Sequence, residues 1–160
     1  MLMTSAVDLH KKLCFPPGGY QRMTRDTSPS FSDVKSADGQ AYNEPAFRYF
    51  LNIERNRAQR RDRSIALVLV SARQGQKQTL DRMGDRSTDA VFGALTSSVR
   101  DADFVGWYRE GRVAAAVLAM GDATPSGVRK QLADRVSRQL RERMAANADG
   151  MRIRVFELKR

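Results

Sequence analysis

Apolar positions first recur with helical spacing at Phe47, Phe50 and Leu51, and a charged stretch from Glu54 to Arg63 follows them. This predicts an amphipathic helix of roughly 16–18 residues starting at Glu44, basic in its second half. Ser64 to Ser71 is a β-branched and aliphatic run, the pattern of a buried central strand. The polar Arg73–Lys77 reads as a loop. Leu80, Met83, Val91, Leu95 and Val99 then recur at helical intervals, which predicts helix over 79–99 with a break near Gly84. Phe104–Arg109 and Arg112–Ala119 are strand-like and separated only by Glu110-Gly111, a connection that suits a tight hairpin with positive φ in its turn. Trp107 and Tyr108 alternate there, so one is expected in the core and the other at the surface. Thr124-Pro125 forms an N-cap and first helical position. Val128, Leu132, Val136, Leu140 and Met144 line one face of the helix that follows. Gly150 closes that region, and Met151–Leu158 alternates apolar and polar residues as a last strand. The elements spell helix, then βαββαβ, the split order of ferredoxin-like α+β folds. Both internal helices can pack on one face of an antiparallel sheet.

Residues 1–44 lack such periodicity. They hold Pro16-Pro17-Gly18-Gly19 and Thr27-Ser28-Pro29-Ser30, and offer no face whose burial would offset the entropy of ordering. The 160 residues therefore divide into a disordered N-terminal tail, 1–44, and a folded domain, 45–160. The longest apolar runs, Ile65–Val70 and Val113–Met120, fall short of the roughly 18–20 residues a membrane span needs. Met1–Leu13 has no continuous apolar core, so no signal peptide is read and a cytoplasmic location is expected. Cys14 and His10 are the only residues of their kinds, which excludes an intrachain disulfide, a cysteine-cluster metal site and a multi-His zinc site.

Charge sharpens the picture. The chain carries 28 Lys+Arg against 18 Asp+Glu, a net charge of +10. In the tail, Lys11, Lys12, Arg22, Arg25 and Lys35 are balanced by Asp8, Asp26, Asp33, Asp38 and Glu44. The whole excess belongs to the folded part, which suits an anionic partner or simply a solvated arginine-rich surface.

Arg100-Asp-Ala-Asp-Phe-Val-Gly-Trp-Tyr-Arg-Glu-Gly-Arg-Val-Ala-Ala-Ala-Val-Leu resembles the signature hairpin of GGDEF domains, the bacterial diguanylate cyclases, whose pattern is RxxDxxxRxGGDEFAVLL. The resemblance extends over Pro45–Leu158 through the order of elements. The departures fall on the catalytic positions. Arg109-Glu110 stand for the paired glycines that let backbone approach a nucleoside triphosphate, and Gly111-Arg112 stand for the two acids. The other metal-binding acid of such cyclases follows the first strand, where this chain has Ser71-Ala72-Arg73. Phosphoryl transfer without Mg²⁺ and its carboxylates cannot neutralise developing charge. The resemblance thus implies a degenerate, catalytically silent member with no cofactor and no bound metal.

Arg100 and Asp103 match the family's inhibitory RxxD motif at the same distance before the turn. The resemblance gives them contact with cyclic di-GMP, guanidinium to guanine or phosphate and carboxylate to guanine N–H groups. Asp103 also suits a cap on the turn into the strand, with Arg100 as a cation at a helix C-terminus. Gly84-Asp85 falls where the family places a guanine contact, and a helix kink accounts for it too. Arg109 and Arg112 flank the turn and could clamp an anion, or stay solvated. The reading is a regulatory module that senses cyclic di-GMP or relays through a partner protein or homodimer, with control of surface polysaccharide or motility as the implied output. A basic nucleic-acid-binding module is the alternative. The strands Ile65–Val70 and Val113–Ala119 hold no aromatic on which bases would stack, which disfavours RNA recognition and leaves non-specific phosphate binding. A further alternative is a module that dimerises through the Phe47/Phe50 helix.

Overall fold

The computed structural model describes residues 41–72, 82–120 and 125–158. The tail 1–40, the loop Arg73–Lys77, Leu80 and the Thr124 cap lie outside the described residues.

Helix α1 spans Glu44–Arg60, strand β1 Ile65–Ala72, helix α2 Asp85–Ser98, strand β2 Phe104–Arg109 and strand β3 Val113–Ala119. Helix α3 spans Pro125–Met144, a short 3₁₀ turn covers Ala145–Gly150, and strand β4 closes the chain at Met151–Leu158. The four strands form one antiparallel sheet in the order β2-β3-β1-β4. That is the ferredoxin-like arrangement expected from the sequence.

Local chemistry sets the helix starts. Asn43 caps α1 by accepting the Ala46 N–H on Oδ1 at 3.0 Å, and Pro45 sits in the first turn, where its missing N–H costs nothing. Helix α2 begins at Asp85, not at Thr79, with Gly84 as N-cap. Met83 is buried just before it and donates its backbone N–H to the Gly111 carbonyl at 2.8 Å. The hairpin turn anchors its backbone while its side chain joins the core cluster, so helical periodicity is the wrong frame for it.

The sheet is covered on both faces. Ala66, Val68, Val70, Trp107, Ala114 and Ala116 face α2 and α3, where Val91, Phe92, Leu95, Leu132, Val136 and Leu140 meet them. Phe92 and Trp107 pack edge to face with centroids 4.9 Å apart. On the opposite face, Leu67, Leu69, Tyr108 and Val117 lie under Phe47 and Leu51 of α1. Trp107 and Tyr108 are therefore both buried, each on its own face, which corrects the expectation that one is exposed. Phe47 is fully buried against its own sheet, so it offers nothing to a second copy.

The folded unit also begins earlier than Pro45. Ala41 is buried, and Tyr42 bridges to Gly106 by donating to the Val105 carbonyl at 3.0 Å and accepting from the Trp107 N–H at 2.8 Å. This strap covers the outer edge of β2. It leaves no room at Gly106, where a Cβ would stand 2.6 Å from the Tyr42 carbonyl oxygen and 2.8 Å from Cδ2 of Phe47.

Burial under α1 pushes the Tyr108 phenol above its ordinary value of 10.0, and Arg48, whose guanidinium lies 5.5 Å from the ring centroid, only partly offsets this. The folded state holds this proton more tightly than the unfolded chain. Its contribution to stability is complete below pH 10 and is lost as pH rises through the folded value. Ultraviolet titration should show Tyr108 ionising late, with stability falling in the same alkaline range. An unchanged alkaline spectrum in Y108F would refute the burial argument.

Candidate functional site

The residues that the sequence nominates fall into two groups at opposite ends of the sheet. Asp85 starts α2 and Arg100 follows its end; 14 residues of helix place them roughly 20 Å apart. Strand β2 separates Asp103 from Arg109 by a similar length. A single small ligand cannot touch both groups.

At the hairpin end, the turn is closed by the Arg112 N–H donating to the Arg109 carbonyl at 3.0 Å. Gly111 alone among these turn residues takes positive φ, at 67°, so the turn needs one glycine and not two. A register shift between Trp107 and Arg109 absorbs the mismatch. The tip is then tied down from two sides. The Met83 bond holds Gly111, with the Arg82 side chain alongside. The Glu110 N–H donates to Oε2 of Glu44 at 2.7 Å, and the Glu44 N–H donates back to Oε2 of Glu110 at 3.1 Å. Glu44 also pairs with Arg48 at 2.7 Å. Ser71 lies opposite Val113 on one side and Arg152 on the other, so the end of β1 holds a buried hydroxyl beside one cationic neighbour. Among the described residues no group of three His, Cys, Asp or Glu side chains could hold a metal ion. Asp85 is exposed at the N-terminus of α2, where its charge suits the helix dipole. Glu44 and Arg48 escaped the sequence reading because they lie more than sixty positions from Glu110 and nothing local marks the contact.

At the other end, Arg100 and Asp103 form a closed turn. The Asp103 N–H donates to the Arg100 carbonyl at 2.9 Å, and Oδ2 of Asp103 accepts the Arg100 N–H at 2.9 Å. Oδ1 accepts more weakly from the Ala119 N–H at 3.4 Å. Asp103 thus caps the entry to β2, as one sequence reading had it. Its carboxylate keeps further acceptor capacity, since two oxygens offer about four lone-pair sites. The Arg100 guanidinium is exposed and has no hydrogen-bond or ion-pair partner among the described residues.

The pair stands on the wall between two concavities. One, of about 260 Å³, is floored by Ala66, Leu118, Met120 and Leu132 and rimmed by Arg100, Asp103, Gln131 and Arg135. Arg135 reaches it from α3 and donates to the Ser98 carbonyl at 3.2 Å, covering the C-terminal end of α2. The other, of about 250 Å³, lies between the same turn and the Ala41–Tyr42 strap. The sequence pointed to the pair through its spacing; the cavities arise from α3 and the strap, which no local motif announces.

This arrangement of sheet, helices and hairpin is the fold of GGDEF domains. Similar solved structures include a diguanylate cyclase protein from Thermotoga maritima, 14% identical with a TM-score of 0.53, covering 74% of this chain and 80% of that one. The GGDEF domain of DgcB from Caulobacter crescentus, solved with c-di-GMP, is 14% identical with a TM-score of 0.54, covering 83% and 80%. Diguanylate cyclase SiaD from Pseudomonas aeruginosa, solved with its activator SiaC, is 21% identical with a TM-score of 0.54; the match covers 86% of this chain but 55% of SiaD. At these identities the likeness is one of fold, and the chain is described as a GGDEF-like domain. No family model matches the sequence, and no curated protein does either. Among the described residues no helix is long and apolar enough to cross a membrane.

Proposed function

We propose that this protein is a GGDEF-like signalling module without cyclase activity, which binds cyclic di-GMP through Arg100 and Asp103 and passes its occupancy to a partner protein. The observation that carries the reading is the placement of an exposed guanidinium, without a partner among the described residues, and a carboxylate on one turn between two concavities. Arg offers a planar fork of donors to phosphate or to guanine O6 and N7, and Asp accepts from guanine N–H groups. The apolar floor of the larger cavity would cover a purine face. The DgcB and SiaD complexes lend support for a nucleotide and a protein partner respectively.

The hairpin supports the loss of catalysis. Ser71, Gly111 and Arg112 supply no carboxylate, and Arg112 brings a cation to where Mg²⁺ would need an anion. The Glu110 N–H, a backbone donor that a nucleotide would need, is already taken by Glu44.

Calorimetric titration tests the proposal. Cyclic di-GMP should bind with micromolar affinity or better, and R100A should weaken it by roughly ten- to a hundred-fold, the loss of a charge-assisted contact worth about 1.5–3 kcal/mol. R152A, on the distant β4, should leave affinity unchanged, and incubation with GTP and Mg²⁺ should give no product. Absence of binding well above micromolar ligand would make the turn purely structural, and measurable turnover would overturn the catalytic part.

A further inference from the structure

A third concavity, of about 270 Å³, opens where α1 runs into β1, and it belongs to neither site above. Its polar wall is made by Arg57, Arg61, Arg63 and Ser64, with Glu54 as its one acid. Ala58, Ile65, Ala119 and Met120 form the floor, so Ala119-Met120 separates it from the cavity beside Arg100. Glu54 is matched by Arg57 at 2.7 Å. Arg61 and Arg63 have no ion-pair partner among the described residues, so the cavity's wall carries three guanidiniums against one carboxylate.

Their placement is fixed by backbone, not by chance side-chain reach. Arg61 donates its N–H to the Arg57 and Ala58 carbonyls at 3.2 and 3.1 Å, and Arg63 donates to the Ala58 carbonyl at 2.9 Å. Between them Asp62 takes φ of 50°, a left-handed conformation that reverses the chain and brings both neighbours onto the same cavity. The Met120 N–H donates to the Ser64 carbonyl at 3.1 Å and holds the floor against the turn. Arg60, which could crowd the group further, instead donates from Nε to the Asn56 carbonyl at 3.3 Å.

Guanidinium forks match phosphate oxygens, and a doubly charged anion would balance the surplus of two positive charges on this wall. We infer that Arg57, Arg61, Arg63 and Ser64 form a second anion site, one that takes a diphosphate group. The site is independent of cyclic di-GMP binding at Arg100.

The full chain should be titrated with inorganic pyrophosphate at low salt, following arginine Nε–H signals by NMR. Saturable binding is expected, tighter than that of orthophosphate. R61Q and R63Q should each weaken it roughly ten- to a hundred-fold, whereas R100A and R152Q, which remove the same charge elsewhere, should not change it. A parallel titration with GDP separates the sources. Affinity equal to that of pyrophosphate assigns the site to the bare diphosphate, and tighter binding that still depends on Arg63 assigns it to a nucleotide. No saturable binding, or an equal loss in R152Q, would overturn the site and leave only a diffuse positive field.

Discussion

G106A should lose about 1–3 kcal/mol of stability, because the added methyl meets backbone and a fully buried ring with nowhere to move. The Tyr42 carbonyl that it meets is also the acceptor of the Trp107 N–H, so relief by shifting the strap costs a buried hydrogen bond as well. Thermal unfolding should fall by about 2–4 °C per kcal/mol lost. G127A is the control of opposite sign: it lies in α3 with nothing within 4 Å of the new methyl, and should gain a few tenths to about 1 kcal/mol from helix propensity. Unchanged melting of G106A would mean that the strap does not hold β2.

F47A should cost more, about 3–5 kcal/mol, since the ring is fully buried between α1 and the sheet. That is a large share of the ~5–15 kcal/mol typical of whole domains, and urea denaturation should show it as a lower midpoint with an unchanged slope. The double variant F47A/G106A should lose less than the two singles together, by about 0.5–3 kcal/mol, because the methyl at 106 and the ring at 47 compete for the same space. Strict additivity would show that Phe47 gives way freely, and that the Tyr42 carbonyl alone sets the cost at Gly106.

Elements with a clean local signature were legible in the sequence. Strands β2 and β4 have the bounds read from their apolar runs, and Gly111 takes the positive φ that the hairpin demanded. Non-local features were not. Tyr42 sits in a stretch with no periodicity, and its packing depends on two backbone bonds to a strand more than sixty residues away. Met83 matched the helical spacing of Leu80 and Val91, yet it is held outside the helix by a backbone bond to the hairpin tip. Alternation put Trp107 and Tyr108 on opposite faces, but the burial of both followed only once α1 was seen to roof the second face. At the candidate site, Arg100 and Asp103 were found through the spacing of a motif. Arg135 and Gln131 were not, because α3 contributes them from a helix face whose apolar stripe alone was legible.

The Tyr42 strap bears on how copies of this protein can meet. A sheet has two edges, and here Tyr42 occupies the middle of the β2 edge at Gly106, while among the described residues no strand pairs with the outer edge of β4. One added strand would use up that edge. Edge-to-edge association that ran on past a pair would have to displace Tyr42 from β2. In the register that sets Arg152 and Arg154 of two copies opposite one another, like charge opposes even that pair.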